Sequence, residues 1–254
     1  MERKPRVALL IDAENSPARK IDLILNELST FGETSIRRAY GNWKKAELKG
    51  WEEVLHEHAI RPIQQYDYSK GKNASDMALV IDAMAMLYTD SPDAFGIVSS
   101  DADFTPLVMH LRERGAAVYG FGAQKTPEPF VNACSRFLFL DKLAEGGADE
   151  AAEAASPAAT ARLRAPTAQL KRDARLVTLL RNAVAAAADE NGWARVGAVG
   201  QQIANQASFD PRNYGYATLT KLLAATQLFE MANEGTSQVA VRDKRAAKSA
   251  AREG

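Results

Sequence analysis

The stretch VALLIDAEN, residues 7–15, decides how this chain is read. Its first five residues are apolar without interruption, and a run that short fits a strand buried on both faces, the kind a parallel sheet contains. Asp12 then emerges at the strand's carboxyl end, in a D-A-E-N turn that also offers Glu14 and Asn15. Further along, FGIVSSDADF, residues 95–104, repeats the pattern: an apolar run ends in Ser99, Ser100, Asp101 and Asp103. Between the two, KNASDMALVID, residues 72–82, sets Asp76 at the start of a helix. If the apolar runs are neighbouring parallel strands, Asp12, Asp101 and Asp103 leave the sheet at one edge and Asp76 joins them. Carboxylates crowded in this way repel each other unless a cation compensates them. A divalent metal site is the expectation.

Apolar runs alternate with helical patterns through residue 143. Strands are expected at residues 7–11, 34–40, 60–65, 94–99, 117–121 and 137–140, and helices at 18–31, 44–58, 76–88 and 104–114, with a short one near 129–133. This is the βαβ rhythm of an α/β domain on a mostly parallel central sheet. The fully apolar strands 7–11 and 94–99 belong side by side at its centre. The helix interior over 77–87 is apolar almost all round, which predicts burial. Residues 144–168 change character: they are Ala-rich, hold two prolines and no large apolar residue apart from Leu163, and read as a flexible linker. A second folded unit, residues 169–243, follows. Helical spacing runs over 170–191, an extended piece over 193–196 and a second helix over 199–207. Asp210 and Pro211 open a turn, residues 216–225 are helical, and 228–231 pairs with 238–241 across Glu234 and Gly235. Three helices and a hairpin in so short a span make a small winged helix. Residues 244–254 form a basic tail with Lys244, Arg245, Lys248 and Arg252.

Composition narrows the chemistry. At 254 residues, 46% apolar and 25% charged, the chain has ordinary globular values and is long enough for one large domain and a small one. No stretch nears the ~18 consecutive apolar residues of a membrane span, so no membrane partner is expected. The N-terminus runs straight into a strand without a small-residue cleavage site, which points to the cytoplasm. One cysteine, Cys134, and three histidines exclude an internal disulfide and disfavour a Cys/His zinc site. Hard oxygen ligands without either suit Mg²⁺ or Mn²⁺. The net charge of zero argues neither for nor against nucleic acid.

Each aspartate also admits a plain capping role. Asn15 could cap the helix that begins near Pro17, which would leave Asp12 for a metal or a water. Asp103 precedes a helix with Pro106 in its first turn and could cap it, and one cap suffices, leaving Asp101 with Ser99 and Ser100 at a strand tip, where α/β sheets bind ligands. Ser75 could cap the helix that Asp76 enters, making Asp76 a first-turn acid favoured by the helix dipole. Asp82 lies about 240° further around that helix and does not share its face. In so apolar a helix it needs a partner, Lys72 or a backbone group, or a place behind the metal ligands.

Acids that hold such a cation would position a water and offset the charge developing on a phosphodiester. Basic and aromatic residues suit a nucleic-acid chain: Arg37, Arg38, Tyr40, Trp43, Lys44 and Lys45 in RRAYGNWKK, and Tyr66, Tyr68, Lys70 and Lys72 in YDYSKGK. The cations would contact phosphates, and Trp43 or Tyr68 would stack on unpaired bases. The plain structural alternative is a solvated basic loop around a core tryptophan.

In their order and spacing, LLIDAEN, YGNW, KNASDMALVIDAM and IVSSDADFTPLV resemble the NYN domain, a branch of the PIN-like nuclease superfamily, over about residues 6–143. The resemblance implies a PIN-like three-layer fold, metal-binding and catalytic acids at Asp12, Asp76, Asp101 and Asp103, Asn15 as a further polar member and Ser100 as a positioning residue. It also implies RNA cleavage that depends on Mg²⁺ or Mn²⁺. Residues 170–241, with VGQQIANQ, FDPRNYGYATLTKLLAAT and LFEM, resemble an OST-HTH or LOTUS domain, a winged-helix module implicated in binding RNA and, in some members, protein partners. Arg212, Asn213, Tyr214 and Lys221 would contact RNA there. The reading that follows is a metal-dependent ribonuclease whose winged helix holds RNA near the acids. Asn15, Ser100, Arg38, Trp43, Lys44 and Lys72 would bind substrate, and Asp82 would sit behind the metal ligands. One alternative is an RNA-binding adaptor with a weak or inactive nuclease site. Another is a phosphoryl-transfer enzyme with Asp12 as nucleophile, but haloacid-dehalogenase-type phosphatases carry a second Asp two residues on, where this chain has Glu14.

Overall fold

Strand β1 (Arg6–Asp12) lies inside a six-stranded sheet with β2 (Glu33–Gly41), β3 (Arg61–Gln64), β4 (Ala94–Val98), β5 (Ala117–Gly122) and β6 (Arg136–Phe139), in the order β3-β2-β1-β4-β5-β6. Every pairing is parallel. The computed structural model describes residues 3–66, 73–143, 164–236 and 238–246 and divides into two units, Met1–Gly147 and Ala148–Gly254.

The uninterrupted apolar run of β1 is explained by layers on both faces. Ala8 and Leu10 pack with α3 (Ala74–Thr89), α4 (Thr105–Glu113) and α5 (Glu128–Ala133), whereas Val7, Leu9 and Ile11 pack with α1 (Ile21–Ser29) and the region of α2 (Glu52–Glu57). In β4, Phe95 and Ile97 take the first face and Ala94 and Val98 the second. Successive side chains of a strand point to opposite faces, so a strand between two helical layers needs apolar residues throughout. The result is a three-layer α/β unit. Its chain winds outward from β1 through β2 to β3, crosses back to β4, and winds the other way to β6. Connections therefore diverge at the carboxyl ends of β1 and β4, the switch point where such sheets hold ligands.

Helix α3 departs from the expectation of all-round burial. Ser75, Leu79, Ala83, Met86 and Leu87 face inward, but Met77, Ile81 and Tyr88 are 58%, 62% and 58% exposed. A helix lying on a sheet can bury only one side, however apolar the rest is. Its start differs as well: the helix begins at Ala74 after Asn73, and neither Ser75 nor Asn73 supplies a side-chain cap.

In the second unit, α6 (Thr167–Arg172), α7 (Ala174–Ala187), α8 (Val196–Gln206) and α9 (Leu219–Thr226) surround an apolar core that includes Leu180, Ile203, Leu222 and Val241. Strands β7 (Ala194–Arg195), β9 (Ala240–Asp243) and β8 (Phe229–Ala232) form an antiparallel sheet in that order. The helix expected over 170–191 is two helices. The Asp173 carboxylate accepts the Leu176 N–H at 2.9 Å and starts α7 as an N-cap, and the second helix stops at Ala187. The unit also starts before residue 169, because the Ala165 N–H donates to the Tyr214 carbonyl and the Thr167 hydroxyl to the Ala225 carbonyl. The hairpin lies one to two residues later than expected on each strand, with Met231 opposite Val241, and residue 237 in its turn lies outside the described residues. So does most of the stretch read as a linker, residues 144–163, and the tail from 247 onward. Among the described residues no helix is long and apolar enough to cross a membrane.

Candidate metal centre and nucleic-acid face

Asp12 ends β1 in the even-numbered phase of Ala8 and Leu10, which turns it toward the α3 layer, and it is 1% exposed. Its Oδ1 accepts the Asn15 N–H at 3.2 Å, and its Oδ2 accepts the Asn15 side-chain amide at 3.0 Å and the Ser99 hydroxyl at 2.9 Å. Asn15 is thus not the cap of the next helical turn, which follows Pro17 without any side-chain cap. It fixes the Asp12 carboxylate instead. Burial pushes the Asp12 carboxyl above its ordinary value, the three hydrogen bonds hold it back, and the charge of Glu14 adds to the rise.

The loop after β4 exchanges the expected roles of its two aspartates. Asp101 is the cap: its Oδ1 accepts the Asp103 N–H at 2.9 Å across the turn Ala102–Phe104, and Asp103 is exposed. A carboxylate two residues before a backbone N–H reaches it within one tight turn, so the first acid of D-A-D caps more readily than the second. Ser99 accepts the Asp101 N–H at 3.1 Å while donating to Asp12, so one hydroxyl ties the tips of β1 and β4 together. The Ser100 hydroxyl accepts the Ala123 N–H at 2.8 Å and anchors the loop to the end of β5.

Asp76 stands in the first turn of α3. Its carboxyl is pushed up to about 6, first by burial and then by the charges of Asp12, Asp101, Glu14 and Asp103. One shared field therefore joins all four predicted acids, with Glu14 as a fifth. Among the described residues no three Asp, Glu, His or Cys side chains stand close enough together to clasp a metal ion, so the acids share a field without forming a closed cage. In donor type they fit a hard divalent cation, since every member is a carboxylate. The neighbouring Ser75 hydroxyl is buried with no partner among the described residues.

Asp82 has its own partners. Its Oδ2 accepts from Arg38 Nη1 at 2.7 Å and from the Tyr40 hydroxyl at 2.8 Å. Neither Lys72, which lies outside the described residues with Tyr68 and Lys70, nor a backbone group is needed to explain it. Arg38, read as a phosphate contact, is committed to this part-buried pair. Burial and the bond to Asp82 keep the Tyr40 phenol protonated and donating.

Beyond the end of β2, the loop 42–45 is tied to the acid turn. Glu14 Oε1 accepts the Asn42 N–H at 2.9 Å and Lys45 Nζ at 3.0 Å. Gly41 permits this approach, because a Cβ there would meet a Leu48 methyl at 2.8 Å and the Glu14 side chain at 3.5 Å. Trp43 is partly buried against the core and donates its indole N–H to the Ile63 carbonyl at 3.1 Å, while Lys44 Nζ lies 5.0 Å from the centre of the exposed Tyr66 ring. Glu14 organises this junction, and the signal for it was its place in the same D-A-E-N turn as Asp12.

In the second unit, Arg212 grips the 2%-exposed Asp210 through Nε at 2.9 Å and Nη2 at 2.8 Å. Tyr214 packs beside Phe209, and Asn213 donates its N–H to the Asp210 carbonyl. Lys221, in the first turn of α9, is exposed.

A family model of the NYN domain matches residues 6–141, and one of the OST-HTH/LOTUS domain matches residues 170–241. The uncharacterized protein MJ0482 of Methanocaldococcus jannaschii is 31% identical over 123 residues, which cover 47% of this chain and 48% of that protein. The chain thus spans about half the length of this curated relative. A crystal structure of VPA0982 from Vibrio parahaemolyticus, a protein of unknown function, aligns with a TM-score of 0.45 and 18% identity over 55% of this chain and 94% of that one. The first unit has a nuclease-like fold of the PIN-like superfamily, whose members generally use divalent metal ions, and the second is a domain of an RNA-binding type. From the strand-tip acids through the three-layer sheet to the matched residues, the chain belongs to the NYN-domain family and carries an OST-HTH/LOTUS domain after it.

Proposed function

We propose that this protein is a metal-dependent ribonuclease that hydrolyses RNA phosphodiester bonds at the carboxyl ends of β1 and β4. The observation that carries the reading is the gathering of four acids at this switch point: Asp12 is tied to the β4 tip through Ser99 at 2.9 Å, Asp101 stands in the loop after β4, and the charges of Asp12, Asp101 and Asp103 bear on Asp76. Asp12, held by Asn15 and Ser99, and Asp101, held by its own turn, present carboxylates in fixed orientation. Asp76 is the member whose charge the other acids oppose, and Asp103 and Glu14 complete the anionic edge. Mg²⁺ or Mn²⁺ bound among them would supply a water of lowered pKa and offset charge on the phosphate. Lys44 and Trp43 line the path of the RNA, and the second unit, about residues 169–243, raises its local concentration. Lys221 offers that unit's exposed phosphate contact, while Arg212 shapes the turn before α9.

The test is cleavage of unstructured and structured RNAs by wild type and Asp101→Asn, with Mn²⁺, Mg²⁺ or EDTA. Cleavage by wild type with either metal, abolished by EDTA and by the substitution, is expected; cleavage that persists in EDTA overturns the metal role. The alternative is an adaptor that binds RNA without cutting it. Tight binding with no cleavage of any substrate would establish that reading instead.

A further inference from the structure

The first unit holds an open cavity of about 760 Å³ between α2 and the edge strand β3, apart from the acids. Trp43, Leu48, Leu55 and Pro62 give it apolar walls, and Glu52 and His56 of α2 stand at it as polar groups. The tryptophan is a fixed plate there. Its indole N–H is spent on the Ile63 carbonyl at 3.1 Å, and its backbone N–H on Gln64 Oε1 at 3.0 Å. What remains for the cavity is ring surface. The loop that carries it, residues 42–45, is bound to Glu14 and so to the turn that positions Asp12. Lys44 belongs to the same loop, with its Nζ 5.0 Å from the ring centre of the exposed Tyr66.

We infer that this cavity receives one unpaired base of the RNA. The inference rests on the ribonuclease reading for the identity of the ligand. Volume and lining are those of a small-molecule site, apolar with a few polar groups. An aromatic plate next to cationic residues is the arrangement by which proteins hold single strands, stacking bases on the ring and leaving phosphates to the lysines. A base within a duplex keeps its faces stacked and cannot enter a recess off the sheet edge without being extruded. The Glu14 tie sets the recess at a fixed offset from the acids, so the base it holds lies at a constant distance from the bond to be cut.

The experiment reads binding rather than chemistry. Fluorescence anisotropy of the full chain in EDTA compares a labelled single-stranded oligoribonucleotide with versions carrying one abasic ribose at successive positions, and with the duplex. His56→Trp, an exposed helix position at the cavity, narrows the recess from its rim. A stacked base contributes on the order of tenfold in affinity. One abasic position should therefore weaken binding by about that factor, His56→Trp should do the same to the intact strand, and the two losses should not add. The duplex should bind at least tenfold more weakly than the strand. Equal binding of intact and abasic strands overturns the inference without reference to any variant, as does strict additivity of the two losses. Base-dependent binding without cleavage in Mn²⁺ would sink the ribonuclease reading alone. Metal-dependent cleavage indifferent to abasic positions would sink this inference alone.

Discussion

Asp76 and Asp82 lie six residues apart on α3, yet their surroundings are opposite. Asp82 meets an arginine and a phenol that together satisfy one of its oxygens. Asp76 meets burial and the charges of four carboxylates. A helix that lies on a sheet projects its middle onto the strands and its first turn beyond their ends, and the two acids sample those two places. The first is chemistry that holds the fold together. The second is mutual repulsion among carboxylates, and it is the reason the proposed ribonuclease reading places a cation there.

Exchanging charge for amide at each position tests the contrast directly. Asp76→Asn should lower Mn²⁺-dependent RNA cleavage on the order of a hundredfold or more, since even residues behind a metal's ligands cost 10–100-fold when changed. Unchanged turnover would remove Asp76 from the site. Asp82→Ala should do the reverse. It strands a part-buried Arg38 and leaves the Tyr40 hydroxyl without its acceptor, so the first unit should lose about 1–3 kcal/mol, read as an earlier urea midpoint. Its cleavage per folded molecule should stay within a few-fold of wild type. If Asp82→Ala instead abolished cleavage at unchanged stability, the two acids would have to be classed together.

The same contrast has a pH signature. The Asp76 carboxyl rises from 3.8 to about 6 on folding, so between those values the folded chain binds more protons than the unfolded one. The stability this lends is fully present below pH 3.8 and is lost as pH rises through about 6. Taken at face value the rise is worth about 3 kcal/mol, but Asp76 is only part-buried, and solvent screening reduces the expected effect to on the order of 1 kcal/mol. In EDTA, wild type should therefore lose stability relative to Asp76→Asn between pH 4 and 7, and Mn²⁺ should erase the difference. Parallel stability curves for the two proteins would show that the acids do not share a field.

Much of this was legible in the primary structure, and the rest was hidden for reasons of geometry. Runs such as residues 7–11 declare strands covered on both faces, and the acids that end them fall at the strand tips because apolar periodicity stops where the sheet does. Which acid caps was not legible: D-A-D offers two carboxylates to one turn, and only backbone geometry selects Asp101. Partners distant in sequence were also hidden, as with Arg38, 44 residues from Asp82. Hydropathy could not say which side of α3 faces the sheet, so Met77 and Ile81 were expected inside and lie outside. In the second unit, the periodicity of residues 170–191 outweighed a single Asp173 whose capping bond divides the helix.

The smallest effect concerns the second unit, where Arg212 and Lys221 repeat the contrast between an engaged group and an exposed one. Arg212 spends two donors on a nearly buried carboxylate, so Arg212→Ala should lower the thermal stability of that unit more than it lowers intrinsic affinity for RNA. Lys221 is exposed in the first turn of α9, and Lys221→Ala should weaken RNA binding only a few-fold, evenly across sequences. A lost phosphate contact also leaves a mark that a structural defect does not: the slope of log affinity against log salt should shrink by about one. Titrations of full-length wild type and both variants at several salt concentrations read this directly. If Arg212→Ala flattened the slope at unchanged melting while Lys221→Ala left it alone, Arg212 would be the phosphate contact, and its grip on Asp210 would have to open when RNA binds.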